Sequence, residues 1–243
     1  MHRFVWNLTW SSSGGAGVDE ESEYRTPSGP KAVPGMYTVK LTVDGKPQTQ
    51  PLTVVMDPRS SATSETLEQQ LQLGQQIFAD TMEARRTLAE IDSVRKKLAA
   101  LEQEIGEKDS SIKSALADAQ SEISTITAKQ AGQSASLQDA FVNMVSALHV
   151  VESGDRAAPS QAITVYNDSS QRVKAAIAQW SDFKKTRLPA LNRKLIERKL
   201  TPIAISEIEQ EVQGLMSLLL VPRGAVLPHR SLGATALTSR DES

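Results

Sequence analysis

The fold is decided by the stretch from Thr63 to Ile105, which reads TSETLEQQLQLGQQIFADTMEARRTLAEIDSVRKKLAALEQEI. Its apolar residues recur at spacings of mostly three or four, at Leu67, Leu71, Ile77, Phe78, Met82, Leu88, Ile91, Val94, Leu98, Leu101 and Ile105. This period is typical of an amphipathic helix and approaches the seam of a coiled coil. The stretch therefore predicts one long helix, which Ser64 can cap.

Further helical patterns follow, each separated from the next by a turn signal. A turn at 106–111 precedes the second helix, with Asp109 or Ser110 as its N-cap, and a break at 131–134 precedes the third. Pro159 fits the first turn of a fourth helix, Leu188-Pro189 predicts a kink or restart, and Pro202 can begin a last helix. The apolar positions of these helices include Ile112, Leu116, Ile123, Leu137, Phe141, Met144, Leu148, Tyr166, Val173, Trp180, Leu191, Leu195, Ile208 and Val212.

Upstream of the long helix, the pattern changes to the period of two that is expected of half-buried strands. The first strand is predicted over Arg3 to Trp10, with Phe4, Trp6, Leu8 and Trp10 on one face. A second strand is predicted over Tyr37 to Val43, ending in a turn at Asp44-Gly45. A third strand runs from about Leu52 to Met56, and Asp57-Pro58 ends it.

These elements predict a mainly α protein with a small β part. We expect a partial antiparallel β-sandwich at residues 1–60, an antiparallel helical hairpin or bundle at 61–221 and a disordered tail at 222–243. Three strands are too few to bury both inner faces of an immunoglobulin-type sandwich, which uses about seven. Either another subunit supplies the missing strands or the chain begins inside a domain, and we favour the second interpretation.

Composition excludes several classes of function. The 243 residues carry 27 basic and 29 acidic side chains, so no large positive field favours nucleic acid. The absence of cysteine excludes disulfides, thiolate nucleophiles and cysteine metal sites. The first residues lack the basic segment followed by an apolar segment that is typical of a signal peptide, so we do not expect one here. The most apolar late stretch, Leu215 to Leu220, is too short to cross a bilayer.

Histidines do not form a metal site in this sequence. His2, His149 and His229 are far apart, and no pair has the i, i+4 spacing that places two imidazoles on one ion. Glu152 follows His149 by three residues, which allows a partial site. A helix-end salt bridge or simple exposure is the favoured interpretation of that pair.

Other chemical motifs are equally incomplete. Glu20-Glu21 falls in a loop, and Glu207 with Glu211 falls on a solvated helix face, so neither pair gives the buried, opposed carboxylates of a glycosidase. The run Ser13-Gly14-Gly15-Ala16-Gly17 lacks the Lys-Ser/Thr of a phosphate-binding loop. We therefore predict no catalytic, cofactor-binding or metal-binding residue and no cofactor, and we expect the chain not to be an enzyme.

One stretch of the β region carries a family resemblance. The run Pro34-Gly35-Met36-Tyr37-Thr38-Val39-Lys40-Leu41-Thr42-Val43-Asp44-Gly45, with Pro51-Leu52-Thr53-Val54 and Asp57-Pro58-Arg59 after it, resembles the C-terminal region of bacterial sortilin-like, BNR-repeat β-propeller proteins, often called glycosyl-hydrolase-like. It is also similar to the immunoglobulin-like module of flagellar hook-capping proteins. The chain has no propeller and no Ser/Asp box, so any hydrolase activity that the resemblance implies lies outside it.

The resemblance implies a non-catalytic structural or protein-interaction module, the C-terminal portion of an exported, periplasmic or extracellular, propeller protein. We expect self-association or a protein partner through the helical seam or the sheet edge. One alternative is a hydrolase-associated chain whose active site lies in a missing propeller or in a partner. The other is a homodimeric coiled-coil scaffold. Covering of the seam by the chain's own later helices is favoured over an exposed seam.

Overall fold

The computed structural model describes residues 6–10, 29–43, 46–106, 109–129, 131–132 and 135–220, with side chains in the last helix up to Gly214. The chain is mainly α-helical with one small antiparallel sheet, as the sequence predicted. Its elements are β1 (Gly35–Val43), β2 (Lys46–Val54), α1 (Ser64–Ile105), α2 (Ser110–Thr127), α3 (Leu137–Val151), α4 (Ser160–Asp182), a π-helical turn (Phe183–Arg187), α5 (Leu188–Glu197) and α6 (Ile205–Leu220). The predicted turn at Asp44-Gly45 and the predicted tail at 222–243 lie outside the described residues.

Helix α1 is the axis of the molecule, since its 42 residues extend for about 63 Å. Its N-cap is Thr63, whose hydroxyl accepts a hydrogen bond from the N–H of Thr66 at 3.1 Å. The sequence pattern placed the cap at Ser64, one residue too late. At the other end Gly106 adopts φ 54°, a left-handed conformation that ends the helix and that glycine adopts without steric cost.

The segment 160–197, which comprises α4, the π turn and α5, runs parallel to α1. Tyr166 donates to the Asp80 carboxylate at 2.8 Å, and further along both helices the Trp180 indole donates to Glu90 at 2.9 Å. Residue numbers increase together along the two segments, so their directions agree. Helix α4 and the π turn pack beside α1 through these contacts, whereas α5 packs on α2.

Helix α2 folds back against the C-terminal half of α1. Arg95 donates to the Thr127 hydroxyl at 2.7 Å, and Gln120 donates to the Glu102 carboxylate at 3.1 Å, so the two helices are antiparallel. The predicted helical hairpin is therefore present. The N-cap of α2 is Asp109, one of the two residues that the sequence offered for it.

Helices α3 and α6 complete the bundle at opposite parts of α1. The end of α3 lies beside the first turns of α1, where the Gln70 amide donates to the carbonyl oxygens of Val151 and Gly154. Helix α6 packs on the later part of α1, with Lys97 and Glu207 paired at 3.7 Å.

The sequence predicted a kink or restart at Leu188-Pro189, and the helix changes its geometry there without ending. The chain forms a π-helical turn over Phe183–Arg187 and then continues as α5, with the Leu188 N–H donating to the Phe183 carbonyl. Proline has no N–H and its ring collides with the carbonyl four residues earlier in a regular α-helix. The wider π turn accommodates the proline without ending the helix.

The apolar seam of α1 is covered by the chain's own helices, which is the packing that the sequence favoured. Buried residues of α1 form one core with residues of every later helix, including Ile77, Ile91, Val94, Leu98, Ile112, Leu116, Ile123, Leu137, Met144, Trp180, Leu195 and Val212. A seam buried in this way is not available to a partner, so the sheet edge is the remaining surface among those that the sequence pointed to.

The β part is smaller than predicted. The described residues contain a two-stranded sheet, β1 with β2, where three strands of a partial sandwich were expected. The predicted first strand is wrong over residues 6–10: Leu8 has φ 61°, and only Thr9 pairs with Lys31 in an isolated bridge. The predicted third strand begins earlier, at Lys46, and ends at Val54, two residues before Met56.

Candidate functional site: an open-edged hairpin on the helical bundle

The two edges of the hairpin differ in their hydrogen-bonding capacity. β1 and β2 pair with Val43 opposite Lys46, so that Thr42 faces Pro47 and Thr38 faces Pro51. Because proline has no N–H, it fits a ladder only where the N–H would point away from the neighbouring strand. Pro47 and Pro51 are four residues apart and therefore share this outward orientation. They remove two donors from the outer edge of β2.

The outer edge of β1, in contrast, keeps all of its donors. By the same alternation, the N–H and C=O groups of Met36, Thr38, Lys40 and Thr42 point away from β2. Within the described residues no other strand lies beside them, and no further backbone hydrogen bond involves them. Such a row of unpaired groups is a template for pairing with another strand.

Both faces of the hairpin are exposed beyond its base. On the face of Tyr37, the side chains of Val39, Leu41 and Leu52 are 42%, 57% and 37% exposed. On the other face Met36 is 71% exposed among threonines, Lys40 and the two prolines. These partly exposed apolar side chains lie in one row on the hairpin, where a protein partner could cover them.

The base of the hairpin is anchored by Tyr37. Its side chain is only 3% exposed, and its hydroxyl donates to the Val33 carbonyl at 2.5 Å. Val33 packs with Leu67 and Leu71 of α1 in a small core of its own. Trp6 contacts the Tyr37 ring edge-on, with the ring centroids 5.4 Å apart. These contacts fix the direction in which the strands leave the bundle.

A second anchor joins the segment before the hairpin to the end of α3. The Glu152 carboxylate accepts a hydrogen bond from the Lys31 N–H at 2.8 Å, and its other oxygen has no hydrogen-bond partner among the described residues. Burial raises the pKa of Glu152, and the contact with Lys31 offsets only part of that rise. A Cβ on Gly74 would lie 2.5 Å from the free oxygen, so glycine is what lets the carboxylate approach α1.

Two clefts flank this carboxylate. One has a volume of about 290 Å³ and lies between the hairpin base and α1, with Gln70, Met56 and Asp155 among its lining residues. The other has a volume of about 360 Å³ and is lined by residues that include Thr9, His149 and Glu152. Both lie at the junction of the β part with the bundle.

Inside the bundle, buried polar groups connect helices. Glu90 accepts hydrogen bonds from Trp180 at 2.9 Å, Lys184 at 2.9 Å and Arg86 at 3.1 Å, and Lys184 also donates to Glu209 at 2.8 Å. Burial by itself raises the pKa of Glu90, but Lys184, Trp180 and Arg86 together hold it below its ordinary value. The network joins α1, α4, the π turn and α6.

A second polar cluster is centred on Asp80 of α1. Tyr166 and Ser170 of α4 each donate to this carboxylate at 2.8 Å, and Lys174 lies 3.5 Å away. Burial and the Asp80 carboxylate raise the pKa of Tyr166 to about 12. The phenol therefore stays protonated at neutral pH and acts as a fixed donor between two helices.

Few of the residues weighed as sites on the sequence come together. Glu152 lies at the end of α3, where its carboxylate accepts a hydrogen bond from the Lys31 N–H. Glu207 is exposed and pairs with Lys97. His2, His229, Glu20-Glu21 and the run 13–17 lie outside the described residues. Within the described part of the chain, no cluster of three or more histidine or acidic side chains could hold a metal ion.

Sequence reasoning found β1 but not the difference between the two hairpin edges. The signal that could have revealed it is the spacing of Pro47 and Pro51. Two prolines an even number of residues apart can both occupy outward positions of one strand, which makes that strand an edge.

Comparison of the chain with protein-family models, curated proteins and solved structures finds no match. Among the helices that the structure describes, none is long and apolar enough to span a membrane.

Proposed function

We propose that the chain is a non-catalytic protein-interaction module in which a helical bundle presents a β-hairpin whose open edge accepts a further strand. The resemblance of the β1 region to the C-terminal part of BNR-repeat proteins suggests that this module follows a propeller in an exported protein. Neither the acceptance of a strand nor the position after a propeller requires a catalytic side chain.

The observation that carries the proposal is the asymmetry of the hairpin edges. Pro47 and Pro51 leave the β2 edge short of donors, whereas β1 presents an uninterrupted row of N–H and C=O groups from Met36 to Thr42. Strand addition to such an edge obtains affinity from backbone hydrogen bonds and specificity from alternate side chains. The exposed side chains of Val39 and Leu41 supply the apolar part of that contact.

The buried charged groups also support a structural role. Glu90 and Asp80 are occupied by donors from neighbouring helices, and Glu152 holds the segment before the hairpin. Glu90 and Asp80 connect helices of the bundle, and Glu152 connects the end of α3 to the segment before the hairpin.

A peptide with the sequence of β1, residues 35–43, is a direct probe of the edge. Titrated into the ¹⁵N-labelled chain at low concentration, it is expected to shift and protect the amides of Met36, Thr38, Lys40 and Thr42. A scrambled peptide without the alternation of apolar residues serves as control. Absence of any change at these four amides, or changes only at the clefts beside Glu152, would contradict the proposal.

A further inference from the structure

We propose that the strand that pairs with β1 is β1 of a second copy of this chain, which forms a symmetric dimer with the strand order β2–β1–β1′–β2′. This inference rests on the proposed function and names its partner. A two-fold interface must be self-complementary, because the same surface patch contributes from both subunits. The β1 edge meets that condition in one particular register.

That register is centred on Val39, the middle residue of the nine-residue strand Gly35–Val43. Antiparallel pairing about Val39 uses the whole strand, since Gly35 then lies opposite Val43 of the second copy. The outward-facing residues form the hydrogen-bonded pairs, with Met36 opposite Thr42 and Thr38 opposite Lys40. Val39 lies opposite its own copy in a pair without hydrogen bonds, where the side chains are closest.

Charge favours the same register. The described hairpin residues, 35–43 and 46–54, carry Lys40 and Lys46 and no acidic side chain. A register centred on Lys40 would place two lysines directly opposite each other, which is destabilising. Centring on Val39 places each Lys40 opposite Thr38 of the second copy. It also keeps the two Lys46 side chains of the dimer apart.

The apolar strip is also completed by this pairing. On the face of Tyr37, the cross-strand rows join Leu41 to Tyr37 of the second copy and Val39 to Val39. Each hairpin tip, where Leu41 is now exposed, comes to lie beside the well-anchored base of the other hairpin. The opposite face, which is mostly threonine, lysine and proline, stays in solvent.

The size of the contact sets its strength. A nine-residue ladder is about 30 Å long and one strand wide, and such a contact is smaller than the ~1,200 Å² or more that stable interfaces bury. We therefore expect weak association that increases with protein concentration.

The first test is the mass of the whole chain, measured by light scattering from low micromolar to near-millimolar concentration. We expect a shift from monomer towards dimer. Thr38→Pro removes an N–H that points away from β2 and should keep the chain monomeric. Thr49→Pro makes the same change on the outer edge of β2 and should associate like the unmodified chain. Equal far-UV circular dichroism would show that both variants fold.

A second test uses the absence of cysteine from the chain. In the proposed register the two copies of Val39 lie within disulfide range, so Val39→Cys should oxidise to a covalent dimer. Gln50→Cys, directly across the hairpin from Val39 on β2, is the matched control and should cross-link much less.

Three outcomes would overturn the inference. One is a monomer at every concentration, a second is association that Thr38→Pro leaves unchanged, and the third is equal cross-linking at positions 39 and 50. If the chain stays monomeric while the β1 peptide still binds the edge, the interaction module stands and only its partner is wrong. If the peptide also fails to bind, the module itself is wrong.

Discussion

At Gly74, a single hydrogen atom occupies the place where any other residue would carry a side chain against Glu152 and Pro30. An ideal Cβ there would approach the Glu152 oxygen to 2.5 Å and the Pro30 Cβ to 3.1 Å. Overpacking usually costs about 1–3 kcal/mol, and alanine regains about 1 kcal/mol through its helix propensity. We predict that Gly74→Ala lowers the free energy of unfolding by a net amount of up to about 2 kcal/mol.

Gly214 of α6 is the matched control, because no described atom lies within 4 Å of its ideal Cβ. Gly214→Ala should therefore stabilise the chain by about 0.5–1 kcal/mol through helix propensity alone. Urea denaturation of both variants measures the difference. A stabilising Gly74→Ala would show that the Glu152 carboxylate can move away from α1 at little cost.

The raised pKa of Glu152 makes a defined contribution to pH dependence. The folded chain binds this proton more tightly than the unfolded chain, whose carboxyl has an ordinary pKa of 4.5. Stability from this group is therefore fully present below pH 4.5 and decreases as the pH rises through the raised folded value. Glu152→Gln keeps the acceptor for the Lys31 N–H and removes the titration.

The stability of Glu152→Gln relative to the unmodified chain should thus increase with pH from about 4.5 to neutral. Denaturation of both proteins at several pH values gives that difference directly. Taking the difference cancels carboxyls such as Glu90, whose lowered pKa has the opposite effect. A difference that does not change with pH would mean that Glu152 titrates normally in the folded chain.

Between elements, the Glu90 network joins α1, α4, the π turn and α6 at one buried point. Glu90→Gln removes the charge that compensates Lys184, although Glu209 still pairs with this lysine. We predict a loss of about 2–3 kcal/mol, somewhat below the 3–5 kcal/mol typical of breaking a buried pair. Glu207→Gln, whose exposed carboxylate pairs with Lys97, should cost less than about 1 kcal/mol. Equal losses in the two variants would show that the buried network contributes no more than a surface pair.

The helices were predictable because their apolar faces are buried by the same chain, so period and burial agree. Gly106 and Asp109 also marked the end of α1 and the start of α2 correctly, because capping depends on residues close in sequence. The π turn before Pro189 was not predictable, because a proline disfavours a helix locally, whereas the burial of Phe183 and Leu188 in the core is a tertiary effect. Strand β2 was placed too late, since Pro47 and Pro51 look like strand breakers until their outward orientation is known.

Across the whole molecule, the hairpin and the bundle differ greatly in burial. The hairpin is anchored at Tyr37 and is exposed along β2, whereas α1 has buried residues from Leu67 to Ile105. We predict two levels of amide exchange, with Val39, Leu41, Gln48 and Gln50 opening at a much lower free energy than Leu98, Leu116 and Trp180. Hydrogen–deuterium exchange at low protein concentration measures both levels. Equal protection would mean that the hairpin unfolds only together with the bundle.

The candidate site could be predicted only in part from the sequence, because its open edge depends on how the whole chain packs. Alternation identified β1 as a strand, and the shortage of strands indicated an unpaired edge. Which edge stays open depends on strand register, and which apolar surface stays exposed depends on how the helices cover the α1 seam. The anchor at Glu152 joins residues about 120 positions apart in sequence, and no local pattern reports such a contact.

The two prolines of β2 also decide how far any sheet built on this hairpin could grow. A sheet that can accept a strand at both of its edges can add copies without limit and form fibres. In this chain only one side can propagate, so two copies joined through β1 would turn a proline-blocked edge outward at each end. The assembly would be self-terminating, because neither outer edge of the four-stranded sheet would offer a full row of donors to a further strand.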